Sequence, residues 1–357
     1  MATLNGVVPS IIDSHIHQWD VPRTDHSQAG MARIYQRAPV IMDRLFPLLA
    51  PRSDREFVRT PKHVLRPYLP ATLAADQAPT VQAVGAPVAG VIHVQADWHG
   101  PDPVDETRWL ETLPFGREGN PELLGVVGYA DPRRSDFAKV LDAHAEASSR
   151  FVGIRCMGAW HPDKGVRRYA DDEGLLKSPA FLRGFGALAE RGLTFDAYVY
   201  SHQIGDVAAL AAEYPETTIV LDHYAPPVGW GGPMAGVGRT ESDRQRLLEH
   251  WSESISRLAE HRNVVAKHSG LAFPILGLPN GTYDRERIAD TLRPLIDQTQ
   301  DVFGVDRTLF GSNFPMDKAL APYDQIVGAL VDVLAPRGEA VLAAVFQDNA
   351  RRVYGLR

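Results

Sequence analysis

Eight short apolar runs recur through the chain, at 11–17, 89–96, 123–130, 151–156, 194–200, 217–222, 263–268 and 307–312. Most are continuous rather than alternating, the pattern of strands buried on both faces. Helical stretches follow the third to the eighth run, at 134–149, 179–191, 204–213, 243–260, 284–303 and 323–334. Strands alternating with helices predict an α/β fold, and eight such units predict a (β/α)8 TIM barrel. The rival, an open doubly wound sheet, lacks its glycine fingerprint after the first strand.

One connection breaks the rhythm. Gln18 to Pro87 is about 70 residues, where a β-to-α connection normally takes a few. It holds an apolar, helix-like piece at Ile41–Leu49 and a Pro- and Arg-rich stretch through Arg66–Pro70. It leaves the first strand at the catalytic end, so it is expected to cover the barrel mouth as a cap. The chain therefore reads as a single domain, 1–357, with 18–87 as a long cap insertion between the first strand and the first barrel helix. Two further loops, 226–239 and 273–284, open on the same face. Long loops on one face mark the active-site side of such a barrel.

The polar residues at the strand ends carry the chemistry. In Asp13-Ser14-His15-Ile16-His17 the two histidines are two residues apart, so a strand points both at one place. That arrangement serves a metal or a shared proton network. His223 and His268 end the sixth and seventh runs, and His202 follows the fifth. His15, His17 and His223 are the expected catalytic and metal-ligating set, with Asp13 orienting them. His202 and His268 are expected to reach the substrate, whereas His93, inside the second strand, reads as packed. Arg155 ends the fourth strand, where a guanidinium needs an anionic partner, so it is read as a fork for a substrate carboxylate or carbonyl. Tyr198, more weakly Tyr200, and Asp196 border the pocket in this reading. Trp19, Trp98 and His99 are its expected walls. At the eighth strand the turn Ser312-Asn313-Phe314-Pro315-Met316-Asp317 places an amide where a general base is expected. Asn313 cannot take a proton at useful pH, and the nearest carboxylate, Asp317, lies four residues on.

Composition limits the rest. The net charge of −7 in mixed acids and bases argues against nucleic acid as a partner. No run approaches the length of a membrane span. The single cysteine, Cys156, excludes an internal disulfide, and the amino terminus has no secretory pattern. The chain reads as cytoplasmic, with a small-molecule substrate as its partner and self-association into a homo-oligomer left open.

With these residues in place the chain resembles the amidohydrolase-related family (amidohydrolase 2) of TIM-barrel metal-dependent hydrolases. Within it, the chain is most similar to the branch holding 2-pyrone-4,6-dicarboxylate lactonase. The likeness covers nearly the whole chain. It rests on Asp13–His17 with Trp19, Val94-Gln95, Glu106–Leu110, Val152–Arg155, Leu221-Asp222-His223, Lys267–Leu271, Phe310–Pro315 and Asn349–Leu356. The resemblance implies that His15, His17, His223 and the strand-eight position surround a reacting carbonyl. That last position carries Asn313 here instead of the family's aspartate. The bridging lysine or glutamate of dinuclear relatives is absent as well, since Arg155 occupies its region. The implied cofactor is one divalent ion, zinc above others, or no metal at all. The implied activity is hydrolysis of a small cyclic ester or related C–O or C–N bond. In that reading His15, His17 and His223 polarise the carbonyl, Arg155 anchors the substrate, and a histidine or Asp317 assists water. Two alternatives stand beside it: a metal-dependent non-oxidative decarboxylase, and a catalytically inactive ligand-binding barrel.

Overall fold

The structure is a computed structural model and describes residues 1–356. Among them, eight strands run in chain order: β1 Ile11–Ile16, β2 Val88–Val94, β3 Glu122–Gly128, β4 Phe151–Arg155, β5 Thr194–Ala197, β6 Ile219–Leu221, β7 Val264–His268 and β8 Thr308–Phe310. Each pairs in parallel with the next. β1 and β8 meet at their carboxyl ends, where Asn313 N donates to His15 O and His17 N to Phe314 O, both at 2.8 Å. The turn after β8 thus brings the barrel round to β1. Asp13 fastens the same seam: its carboxylate accepts from His15 N (3.1 Å), Ser312 N (2.8 Å) and the Tyr323 hydroxyl (2.8 Å). Gly311 is required there, because a Cβ would fall 2.6 Å from that of His15.

The predicted strands are all present, but all except β7 stop short of their predicted ends, β5, β6 and β8 at Ala197, Leu221 and Phe310. The ends of β6 and β8 pass into turns whose backbones a ladder cannot hold. His223, Tyr224 and Ala225 have φ of 54°, 64° and 46°, and Asn313 has φ of 56°. Such left-handed residues are costly without glycine and cluster at functional sites. The helices Ile204–Glu213 and Tyr323–Leu334 span their predicted ranges. Val104–Glu111, a helix of 8 residues, is an addition to the predicted set, being too short to show a clear period.

The insertion folds as short helices, Ala29–Arg37, Pro39–Leu49, Arg52–Val58, Pro70–Gln77 and Thr80–Val84. Pro39–Leu49 contains the predicted piece at 41–49. It is apolar yet buries none of its residues, leaving Val40, Ile41, Leu45, Leu48 and Leu49 exposed. Among the described residues no helix is long and apolar enough to cross a membrane.

Candidate active site

Strand alternation points His15, Arg155, Asp196 and Lys267 into the barrel, where they form a buried charged layer beneath the mouth. His15 Nδ1 lies 3.2 Å from Asp222 Oδ1, and Arg155 Nη1 lies 3.3 Å from His15 Nε2. Lys267 Nζ stands 3.3 Å from His15 Nδ1 and 3.2 Å from Asp222 Oδ1, and it donates to Asp196. The Tyr354 hydroxyl, from the chain's last turn, reaches Asp196 at 3.0 Å. Arg155 is further tied to Asp222 Oδ2 (3.4 Å) and donates Nη2 to Gln95 O (2.8 Å). Two fixed cations therefore face one carboxylate and both nitrogens of one imidazole. Although burial opposes its charge, Lys267 and His15 hold the Asp222 carboxyl well below the usual range.

Above this layer is a pocket of about 160 Å³ whose floor carries His17, Gln95, Arg155, Tyr198, His223 and Asn313. His17 Nδ1 lies 2.7 Å from Val94 O. A carbonyl only accepts, so Nδ1 carries the proton and Nε2 is left with a lone pair. Burial, with Arg155 and His93 nearby, pushes the His17 pKa well below 6.5. His223 Nδ1 meets Ser269 Oγ at 2.8 Å, and burial brings its pKa down to about 3. Gly270 leaves room for this ring, since a Cβ there would stand 3.0 Å from that of His223. Asn313 donates Nδ2 to Asp317 Oδ1 (2.7 Å), while Ala272 N donates to Asp317 Oδ2 (2.9 Å). The amide is thereby fixed with its oxygen as the free end. Three buried polar atoms at the floor have no partner: Arg155 Nε, Gln95 Nε2 and the Tyr198 hydroxyl.

The expected metal set changes in one member. Donor atoms of His15, Asp222 and His223 lie within 4.8 Å of one another, a spacing that suits one divalent ion. Asp222 Oδ1 makes no well-formed hydrogen bond despite its close neighbours, which leaves it a lone pair for such an ion. His17 falls outside this group by distance, although its Nε2 is free, and Asp222 stands in its place. Arg155 and Lys267 are rivals for the same donors.

Other expected residues fall elsewhere. His268 is one residue out of register with the site: alternation turns Lys267 inward and His268 outward, where Tyr224 and Gln300 hold its two nitrogens at 3.0 and 3.1 Å. His202 lies on an exposed turn beside His161, their rings 5.3 Å apart. Asp317 sits behind Asn313, and burial raises its pKa to about 7. Tyr200 is buried and donates to Arg167 O (2.6 Å). Trp98 and His99 border a neighbouring cavity, whereas Trp19 lines the main pocket. His15 underlies the floor rather than lining it. Asp222 and Lys267 received no role from the sequence, although the signal was there: both occupy barrel strands or their ends, and a lysine inside an apolar strand needs a buried acid.

A parallel barrel with its ionisable groups gathered at the strands' carboxyl ends defines a TIM-barrel enzyme site. The amidohydrolase profile matches residues 12–356, and the chain belongs to that family of hydrolases. It is 29% identical over 345 residues to y4mH of Sinorhizobium fredii, an uncharacterized protein, covering 97% of this chain and 98% of the relative. It is 26% identical over 353 residues to L-fucono-1,5-lactonase of Burkholderia multivorans, covering 97% and 96%. A crystal structure of an amidohydrolase from Burkholderia multivorans with bound zinc superposes with a TM-score of 0.69 at 23% identity, covering 98% of this chain and all of that one. That likeness is one of fold.

Proposed function

We propose that this hydrolase opens small cyclic esters to hydroxy acids, with residues 18–87 acting as a cap and the rest of the single domain as the barrel. One observation carries the reading: the His17 lone pair, the Arg155 guanidinium and the Asn313 amide line one pocket at the strand ends. The lactonase name of the Burkholderia multivorans relative supports it. In this scheme Asn313 orients a water through its amide oxygen, and His17 Nε2 accepts the water's proton. The water oxygen bonds to the ester carbon. Arg155, with His223, stabilises the negative charge that develops on the carbonyl oxygen. The ring C–O bond then breaks, and His17 returns the proton to the leaving alkoxide. His15 and Asp222 act from below, holding Arg155 in place, and Lys267 in turn holds both of them. Trp19 and Tyr198 contact the substrate.

His15, Asp222 and His223 are the residues that would hold one divalent ion, and zinc suits their nitrogen and oxygen donors. Such an ion supplies Lewis-acid polarisation of the carbonyl. A cytoplasmic enzyme with a small-molecule substrate fits the buried, unpaired Cys156 and the net charge of −7.

The test is a panel of lactones and carboxylic acids followed by mass spectrometry. The expected outcome is gain of one water by a lactone. Loss of CO2 from an acid would replace this reading with decarboxylation, and binding without change would mean an inactive barrel.

A further inference from the structure

The pocket's walls differ in kind from its floor. The insertion contributes Phe57, Val64 and Leu65, and the barrel loops contribute Met157, Phe273 and Met316. Aromatic rings run from this wall down to the reacting end. Phe57 meets Tyr169 at 5.9 Å between centroids, Tyr169 meets Tyr198 at 5.4 Å, and Tyr198 meets His223 at 5.5 Å. The polar groups among them are mostly engaged by neighbours. Arg167 pairs with Asp54 at 2.8 Å and lies over the Phe57 and Tyr169 rings at 5.5 and 5.2 Å. His26 Nδ1 is 2.6 Å from the Thr24 hydroxyl while its Nε2 faces Glu106 at 3.6 Å without a hydrogen bond, and Asp97 Oδ1 is 3.1 Å from His99 Nε2. Ser27, Gln28 and the Tyr169 hydroxyl are the further polar groups of the wall. Of the buried atoms without a hydrogen-bond partner on the pocket-lining residues, Arg155 Nε, Gln95 Nε2 and the Tyr198 hydroxyl lie at the floor, and His26 Nε2 is the exception.

A sugar lactone carries hydroxyls around its ring, and each loses water on entering a pocket. Hydroxyls turned to phenylalanine, leucine and methionine would go without partners. An alkyl or aryl substituent gains from the same surface. We infer that the substrate is a lactone with a polar reacting ring and an apolar body, the ring at the Arg155–Gln95–Tyr198 floor and the alkyl or aryl group along the Phe57–Tyr169 wall. This rests on the lactone-hydrolase reading and departs from the sugar lactone named for the Burkholderia multivorans relative.

The experiment compares kcat/KM of the full-length protein on a δ-lactone bearing a phenyl or pentyl substituent at the ring carbon next to oxygen with that on an aldono-1,5-lactone. The substituted lactone is expected to be favoured by at least about 10-fold, the scale of apolar pocket discrimination. Phe57→Ala should reduce that ratio by about 10-fold, and Phe57→Leu, which keeps an apolar side chain, should retain most of it. Preference for the aldono-1,5-lactone, or an unchanged ratio in Phe57→Ala, overturns the inference while lactone hydrolysis stands. No turnover of any lactone overturns the hydrolase reading and this inference with it.

Discussion

The floor of the pocket and the insertion beside it are built on opposite principles. The floor rests on a layer of buried charge whose side chains are each held by two or more neighbours. Asp13, Asp222 and Lys267 have no exposed surface at all. The insertion supplies apolar walls, and its helix Pro39–Leu49 buries nothing. Charge at the floor is stable only in one arrangement, because an unpaired buried ion is far costlier than an unpaired methyl. The walls can exchange one apolar side chain for another of similar size at far lower cost. In this account the floor carries the chemistry that the chain shares with its family, and the insertion carries the substrate preference.

The sharpest way to break this division is at His17. His17→Ala should cut kcat/KM by about 1,000-fold, within the range for removing a general base, with circular dichroism unchanged. A variant with near-normal turnover would remove the floor's claim to the chemistry. Arg155→Lys should lose about 100-fold, since an ammonium cannot reproduce the forked contacts to Asp222 and Gln95. Arg155→Ala tests the rivalry for donors as well. Elemental analysis after dialysis against zinc should show at most about one equivalent in the wild type and tighter retention in Arg155→Ala. Equal retention would mean that the guanidinium and the ion do not compete.

Stability should divide in the same way. Asp13→Ala leaves two strand-end amides and the Tyr323 hydroxyl without their acceptor, and should cost about 3 kcal/mol in denaturant unfolding. Leu48→Ser, on the exposed face of the insertion, should stay within about 0.5 kcal/mol. A large loss at Leu48 would show that this face is covered in solution.

The barrel was legible because parallel strands buried on both faces must be continuous apolar runs, and helices between them must show a longer period. His17, His223, Arg155 and Asn313 were legible for a related reason: they sit where those runs end. What the sequence hid was register. His268 and Lys267 are adjacent, and only the pairing of β7 with its neighbours decides which one enters the barrel. His202 follows β5 as expected, but that strand stops at Ala197, and the chain turns His202 outward before it can reach the pocket. Asp222 was overshadowed by His223 beside it. Its partners, His15, Arg155 and Lys267, come from β1, β4 and β7, a convergence that no local pattern encodes.

The central claim is that a pocket histidine, and not the carboxylate behind Asn313, accepts the water's proton. The two groups are displaced in opposite directions. Burial lowers His17 well below 6.5 and raises Asp317 to about 7. A base works in its unprotonated form, so lowering its pKa extends activity to more acid pH, and raising it confines activity to neutral pH and above. The measurement is the pH profile of kcat/KM for the wild type beside Asp317→Asn. The account predicts an acid limb below pH 6.5 in the wild type, at the same place in the variant. An acid limb near pH 7 that disappears in Asp317→Asn, or loss of turnover in a variant that still binds ligand, would contradict it and move the base to Asp317.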